Sequence, residues 1–567
     1  MKERVIEILN DLIKKAGFKV KTDFSNAVEI PKEYSNGDFA FPCFILSKEL
    51  GIPPHHIAIR LREQMKELPN DFEEIQSAGP YLNFFVNRKN LAANLILEIE
   101  KEKENYGKLE KNEKTVMIEF PSPNTNKPLH LGHLRNMAIG ESVSRIYEFM
   151  GNKVIRSNLN NDRGTHICKS MLAYKKWGKN ETPEKKKIKP DHFVGDFYVK
   201  FNQKVKTNPE LELEAQGMLK AWEEGDKETI ELSKKMNSWA LEGFEETYKK
   251  FGIKLDKEYF ESKIYKEGKD IILEGLKKKV FKKTEDGAII IDLTKEGLGE
   301  KVLLRSDGTS IYITQDIYLA KKKFEDFKLD ESIYVTGNEQ EYHFNVLFNI
   351  LEKLKIANKE KLKHLSYGMV NLPEGRMKSR EGTVVDADDL IDELQKLIRE
   401  DLKKRTKLKK FELDERSLII ALSALKYLLL KVDIRKNMVF NPNESISFEG
   451  DTGPYMEYSF ARASSILRKV EKIPEATIPE KLEEKEIDLI LKLNEFRDIV
   501  YSAYREVNPS LIANYSYKLA QTFNEFYHSC PVIGSDSEGF RLHLIESFRQ
   551  ILKNSLYLIG IDTVEEM

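Results

Sequence analysis

The sequence predicts a multidomain chain: an α/β domain with a parallel sheet, preceded by an α+β N-terminal domain and followed by an all-α C-terminal bundle. Three observations carry this. The 567 residues exceed what one hydrophobic core supports. A buried-strand run "TVMIEF", a proline-marked loop, a long helical segment and a second strand run "NKVIRSNLN" follow one another between residues 115 and 160, which makes one βαβ unit. From residue 412 onward the pattern is helical, with aromatic residues throughout.

In chain order, "MKERVIEILNDLIKKAGF" sets Val5, Ile8, Leu9, Leu12 and Ile13 on one helical face. That is an amphipathic helix, too polar for a signal peptide. Residues 1–110 otherwise mix helical periodicity with strand-like pieces such as "AGPYLNFFV" at 78–86, and a charged linker leads into the α/β domain at 111–411. Pro121, Pro123 and Pro128 mark the loop after the first strand. A helix is expected from about His130 to Met150, stopped by Gly151. A mostly helical insertion is expected near 166–250. Strand pieces return in "GAIIIDL", "KVLLRSDGTSIYIT", "ESIYVTG" and "LKHLSYGMV", with Asp307-Gly308 read as a tight hairpin turn between two strands. Residues 412–567 form the helical domain.

Composition narrows the function classes. Apolar content of 40% and charged content of 33% describe a folded, highly charged protein with a formal net charge of −1. A nucleic-acid partner therefore requires a local basic face. Lys/Glu runs such as "KEKENYGKLEKNEK" read as solvated helix surface. Cys43, Cys168 and Cys530 lie far apart, so neither a disulfide framework nor a cysteine zinc site is indicated, and no resident protein-bound metal is expected. No apolar run reaches membrane-spanning length, and a cytoplasmic location is expected.

The stretch "SPNTNKPLHLGHLRNMAIGESVSRIYEFMG" carries the chemistry. Its loop ends a parallel strand, where open α/β sheets place their ligands, and the next helix points free N–H groups and partial positive charge at that spot. His130 and His133 share a face of its first turn. Gly132 lets a flat ring lie close to the backbone, and Lys127 stands just upstream as a flexible cation. This suits a nucleotide whose phosphates meet the histidines. Two incidental polar residues at a helix start are the alternative for the motif taken alone.

"HLGH" after a first strand resembles the HIGH motif of class I aminoacyl-tRNA synthetases, and "EFPSPNTNKPLHLGHLRN" resembles the arginyl-tRNA synthetases in particular. Further matching segments are "AGPYLNFF", "SDGTSIYITQDI", "YVTGNEQEYH", "GRMKSREG" and "GDTGPYMEYSFARASSIL" with a terminal methionine, so the resemblance spans most of the chain. It implies a Rossmann-type catalytic domain, ATP with Mg2+ as the nucleotide substrate, L-arginine and tRNA(Arg) as partners, no membrane, and a monomer. Carried over residue by residue, the ATP site comprises His130, Gly132, His133, Gly337, Met369 and Val370. The arginine site comprises Ser122, Asn124, Glu261, Tyr312, Asp316 and Gln340, with Glu261 and Asp316 on the guanidinium. A planar guanidinium is recognised by paired carboxylates in a way lysine's point charge is not. Tyr312 and Asp316 stand four apart and meet on one face if a helix has begun.

The sequence departs from the family at the second class I motif, K-M-S-K-S. The matching segment holds Arg376, Met377, Lys378, Ser379 and Arg380, so a serine replaces the second lysine. Lys378 and Arg380 keep positive charge for the phosphates, and Lys127 is the expected substitute for the missing lysine. A basic surface turn is the bland reading of this segment. The resemblance places tRNA contacts at Tyr455, Tyr458, Tyr527 and Met567 in the helical domain, and at Tyr81 and Asn83, on the tRNA elbow, in the first domain. It also implies that arginine activation needs tRNA. The competing readings are a class I synthetase for glutamine, glutamate or cysteine, a small-molecule nucleotidyltransferase, and a silent RNA-binding paralogue. Glutamate selection would want basic residues in place of Glu261 and Asp316, and a nucleotidyltransferase leaves about 150 C-terminal residues unexplained.

Overall fold

The computed structural model describes residues 1–24, 27–31, 36–109, 112–309, 311–371, 385–441 and 446–567. Lys378 and Arg380, with the rest of "RMKSREG", lie outside the described residues. The chain forms two compact units, and neither is continuous in sequence.

The first unit comprises Met1–Lys103, Lys469–Asn494 and Thr522–Gln550. Its sheet joins β1 (Phe39–Pro42), β2 (Phe72–Ala78) and β3 (Tyr81–Val86) in the antiparallel order β1-β3-β2. The turn between β2 and β3 uses Gly79 at φ +56°, a conformation that favours glycine. The helix Lys2–Lys15 buries Val5, Ile8, Leu9, Leu12 and Ile13, the face its spacing predicts, against Phe41, Phe72 and Phe84 of the sheet.

The second unit comprises Glu104–Arg468, Glu495–Gln521 and Ile551–Met567. Its strands are β4 (Thr115–Glu119), β5 (Lys153–Asn160), β6 (Lys257–Phe260), β7 (Lys282–Lys283), β8 (Ile289–Leu293), β9 (Gly299–Leu304), β10 (Glu331–Gly337), β11 (Leu362–Tyr367), β12 (Val370–Asn371) and β13 (Met438–Val439). A five-stranded parallel sheet has the order β11-β10-β4-β5-β6. β4 is buried along all but its first residue because helices cover both faces of such a sheet. The helix Leu131–Phe149 connects β4 to β5, and Gly140 lies against the Phe120 ring, where a Cβ would come within 2.3 Å. Between β5 and β6 the chain makes five helices, from Thr165 to Phe251. They close on a core of Tyr174, Phe193, Phe197 and Trp239 in edge-to-face contact.

One expectation needs correction. Asp307-Gly308 does form a turn, with Thr309 N–H donating to Asp307, but "IYIT" does not return as a strand. It opens the helix Tyr312–Phe327. Ile313, Ile317 and Ala320 are all buried, a period near 3.6 that the short alternation of "SIYIT" obscured. The hairpin instead joins β8 to β9 through Thr294–Gly297, in the antiparallel sheet β7-β8-β9. No helix among the described residues is long and apolar enough to cross a membrane.

Candidate active site

The loop after β4 is held by asparagines on and just beyond β5. Ser122 N–H donates to Asn158 Oδ1 at 3.0 Å, and Asn161 donates its amide side chain to Ser122 O at 3.1 Å. Asn161 N–H donates to Pro123 O, and Thr125 N–H to Asn161 O. Asn158 and Asn160, both wholly buried, turn their remaining donors on Glu258. Asn124 pairs through its backbone with Asn161. The "SNLNND" run thus positions the loop that delivers Ser122, Asn124 and Lys127.

At the head of the helix Leu131–Phe149 the two histidines cap the helix reciprocally. His130 is the N-cap, and its Nδ1 accepts the Gly132 N–H at 3.1 Å. His133 Nδ1 accepts the His130 N–H at 3.1 Å. This is capping-box logic with imidazoles in place of hydroxyl and carboxylate. A Cβ on Gly132 would sit 3.0 Å from His130 Cε1, so Gly132 first makes room for the neighbouring histidine ring. The rings lie 3.9 Å apart. With Nδ1 committed as acceptor, each neutral ring carries its proton on Nε2. Burial, then the Lys127 charge, holds His130 down to about 3, and burial with the His130 and Lys127 charges holds His133 well below its ordinary value. The pair is therefore two neutral N–H donors rather than two cations.

Positive charge comes from Lys127, which lines a cavity of about 180 Å3 with Pro128, His130, His192, Asp196 and Asp386. Gly195 of the helix Pro190–Val205 admits Pro128, whose Cδ would lie 2.6 Å from a Cβ there. His166 is held down to about 4 by burial and then by Lys127, and among the described residues its buried Nε2 has no hydrogen-bond partner. The chain that follows "RMKSREG" returns to the histidines: Leu131 N–H donates to Val385 O at 3.0 Å and Ala387 N–H to Leu129 O at 3.1 Å. Asp386 caps the next helix, Ala387–Arg405. The acid–histidine group beside it, Asp191, His192 and Asp388, already encloses the Lys189 ammonium, 2.8 Å from Asp388 and 3.1 Å from Asp191, which occupies the place a cation would take.

Two residues that sequence reasoning passed over follow the histidines directly. Arg135 is wholly buried and donates to Gly368 O at 2.6 Å, Lys436 O at 3.0 Å, Ile434 O at 3.4 Å and Met369 O at 3.5 Å. Asn136 donates to Val335 O at 2.7 Å and to the Tyr367 hydroxyl at 3.2 Å. Together they tie the ends of β10 and β11, hence Gly337, Met369 and Val370, to the histidine helix. The available signal was an arginine and an asparagine set between Leu134 and the run Met137, Ala138 and Ile139, all of which are buried.

Glu261 opens the short helix after β6 and is buried, yet among the described residues its carboxylate has no hydrogen-bond donor, only Arg163 at 3.8 Å. Burial chiefly, opposed by Arg163 and reinforced by Asp162 and Asp316, lifts its carboxyl to about 7. Asp162 fixes the neighbouring turn by accepting the Ser262 N–H and hydroxyl. Asp316 is half-buried and accepts the His343 Nε2–H at 2.7 Å, a partner absent from the sequence reading although it lies in "YVTGNEQEYH". The two carboxylates thus face a common region. Tyr312 is one turn before Asp316 but 73% exposed, and Gln340 is exposed in the turn after β10.

The RNA candidates divide between the units. In the first, Tyr81 is half-buried, Tyr527 is partly exposed beside Phe523, and Asn83 is 5% exposed, its Oδ1 without a hydrogen-bond partner among the described residues. In the second, Tyr455 lies 5.6 Å from the Tyr517 ring, Tyr458 is exposed under the Arg462 guanidinium at 4.7 Å, and Met567 is half-buried.

Three family models match successive parts of the chain: the arginyl tRNA synthetase N terminal domain over residues 3–86, the class I (R) tRNA synthetase catalytic domain over 95–442, and the DALR anticodon binding domain over 456–567. An arginine–tRNA ligase of Treponema denticola is 46% identical over 583 residues, 99% of this chain and 98% of its own. One from Bacteroides thetaiotaomicron is 47% identical over 504 residues, 83% and 84% of the two chains. The solved structure of Thermus thermophilus arginyl-tRNA synthetase superposes with a TM-score of 0.85 over 100% of both chains at 26% identity. The parallel sheet and its histidine-headed helix are thus those of a class I aminoacyl-tRNA synthetase. Within that class, the chain belongs to the arginyl-tRNA synthetase family.

Proposed function

We propose that this site activates L-arginine with ATP and passes the arginyl group to the 3′ end of tRNA(Arg). The observation that carries the reading is the reciprocal histidine cap, which aims two neutral Nε2–H donors from the end of β4. In the first step an arginine carboxylate oxygen attacks the α-phosphorus and pyrophosphate leaves. The work of the protein is positioning and charge stabilisation. His130 and His133 donate to phosphate oxygens, Lys127 adds the charge they lack, and Lys378 and Arg380 act on the leaving group. Gly337, Met369 and Val370 line the adenosine, and Mg2+ arrives with ATP as part of the substrate. Glu261 and Asp316 take the guanidinium, and Ser122, Asn124, Tyr312 and Gln340 the rest of the amino acid. In the second step a terminal ribose hydroxyl of the tRNA attacks the arginyl carbonyl and AMP departs.

Residues 1–110 are read as the domain at the tRNA elbow, with Tyr81 and Asn83. Residues 111–411 are the catalytic domain and 412–567 the anticodon-binding domain, with Tyr455, Tyr458, Tyr527 and Met567. The protein works as a cytoplasmic monomer and activates arginine only with tRNA bound. ATP–pyrophosphate exchange with each amino acid, with and without tRNA(Arg), tests this. Exchange is expected with arginine alone and only when tRNA is present. Exchange supported by another amino acid, or none with arginine plus tRNA, overturns the assignment.

A further inference from the structure

Two acids from different elements converge on Arg163. This residue lies in the turn between β5 and the helical insertion, with its side chain 11% exposed. Its guanidinium carbon stands 4.0 Å from the Tyr265 ring centroid and 5.7 Å from that of Trp222, and the two rings lie 5.2 Å apart. One terminal nitrogen makes a close ion pair with Glu223, on the insertion helix Glu210–Glu224, and the other stands 3.8 Å from Glu261 Oε1. A separation of 3.8 Å is a charge contact, too long for a hydrogen bond. Arg163 is therefore bound firmly to the insertion and only loosely to the pocket.

We propose that Arg163 is a positioning residue of the arginine pocket: a resident guanidinium that Glu223 holds one step away from Glu261, leaving that carboxylate open to the guanidinium of the incoming amino acid. The inference rests on the reading of Glu261 as part of the arginine site. Two guanidinium groups present the same planar fork, so whichever reaches Glu261 displaces the other. The Glu223 pair and the stack on Tyr265 settle the competition in favour of the substrate. At its present distance Arg163 also compensates the Glu261 charge. Among the described residues, the other charged groups acting on Glu261 are Asp162 and Asp316, both negative, with His343 behind Asp316. Removing Arg163 therefore favours the protonated, non-binding form of Glu261.

The test is steady-state aminoacylation by the full chain with arginine varied, for Glu223→Gln, Arg163→Gln, the double variant and Glu261→Gln. Glu223→Gln frees Arg163 to close on Glu261. The KM for arginine should rise about tenfold, the equivalent of roughly 1.4 kcal/mol, with kcat and the KM for ATP nearly unchanged. Adding Arg163→Gln should remove most of that rise at pH 8.5, because nothing remains to close. Arg163→Gln alone should resemble wild type at pH 8.5, with the acid limb of kcat/KM for arginine moved to higher pH. A Glu223→Gln enzyme with wild-type KM, or defects that multiply in the double variant, would overturn the proposal. Glu223 is exposed, so this arm stands even if Arg163→Gln folds poorly. If Glu261→Gln leaves the arginine KM unchanged, the reading of the pocket itself fails. If Glu261→Gln raises it and Glu223→Gln does not, only the role of Arg163 fails.

Discussion

The backbone N–H of His130 donates to Nδ1 of His133 at 3.1 Å, so the second histidine is fixed by the main chain of the first. Both rings are held neutral, and His166 and His364, each held near 4 mainly by burial, behave alike. These histidines bind fewer protons folded than unfolded, so the stability they contribute is complete above the unfolded value and is lost as pH falls below about 6.5. His343, raised by Asp316, opposes this with a contribution lost as pH rises. Denaturant unfolding between pH 7.5 and 5 should show falling stability, less steep in His166→Gln. A flat profile, equal in both proteins, would contradict the neutral-ring account.

Lys127 should matter more than the serine in the altered loop. It faces the cavity beside His130, and its charge reaches both capping histidines and His166. Lys127→Ala is expected to slow arginine-dependent exchange more than Ser379→Ala does. The reverse order would remove the compensating role.

Asp316→Asn should lower kcat/KM for arginine by two to four decades, since breaking a paired charge in a water-poor pocket costs about 3–5 kcal/mol. The KM for ATP should hardly move. Because Asp316 already accepts from His343, no gain in stability is expected from the substitution, and below about pH 6.5, where the imidazole is charged, a loss should appear. Arginine kinetics within threefold of wild type would take Asp316 out of the pocket.

Arg135→Leu should destabilise the protein and raise the KM for ATP together. It leaves the carbonyls of Gly368 and Lys436 short of a donor, at about 1–3 kcal/mol for each buried group stranded. Arg135→Lys keeps the charge without the fork and should fall between the two. Melting curves and ATP titrations on the same preparations decide whether the two effects move together.

Periodicity made the frame legible. The β4 strand, the helix after His130 with its Gly151 stop, β5 and the amphipathic first helix all stand where their patterns place them, because each pattern matches a face the structure buries. The histidine cap was legible as a helix start. Its donor geometry was not, because it depends on which ring nitrogen the backbone claims. Arg163, His343 and Arg135 were hidden for a different reason: their partners lie 60, 27 and 233 residues away. Buried polar pairing over such separations leaves no local pattern. "IYIT" misled because four residues satisfy either period.

The central claim is that two neutral, backbone-anchored imidazoles donate to the phosphates during activation. Arginine-dependent exchange in His130→Ala and His133→Ala, measured beside tRNA(Arg) affinity, tests it most directly. If each supplies one charge-assisted contact in the transition state, the loss is about 1.5–3 kcal/mol, or one to two decades in rate apiece. The account predicts that loss with tRNA affinity unchanged, and partial recovery in His130→Gln, which retains an N–H donor. Equal losses in exchange and tRNA affinity, or unimpaired exchange in both alanine variants, would show that the pair only caps a helix.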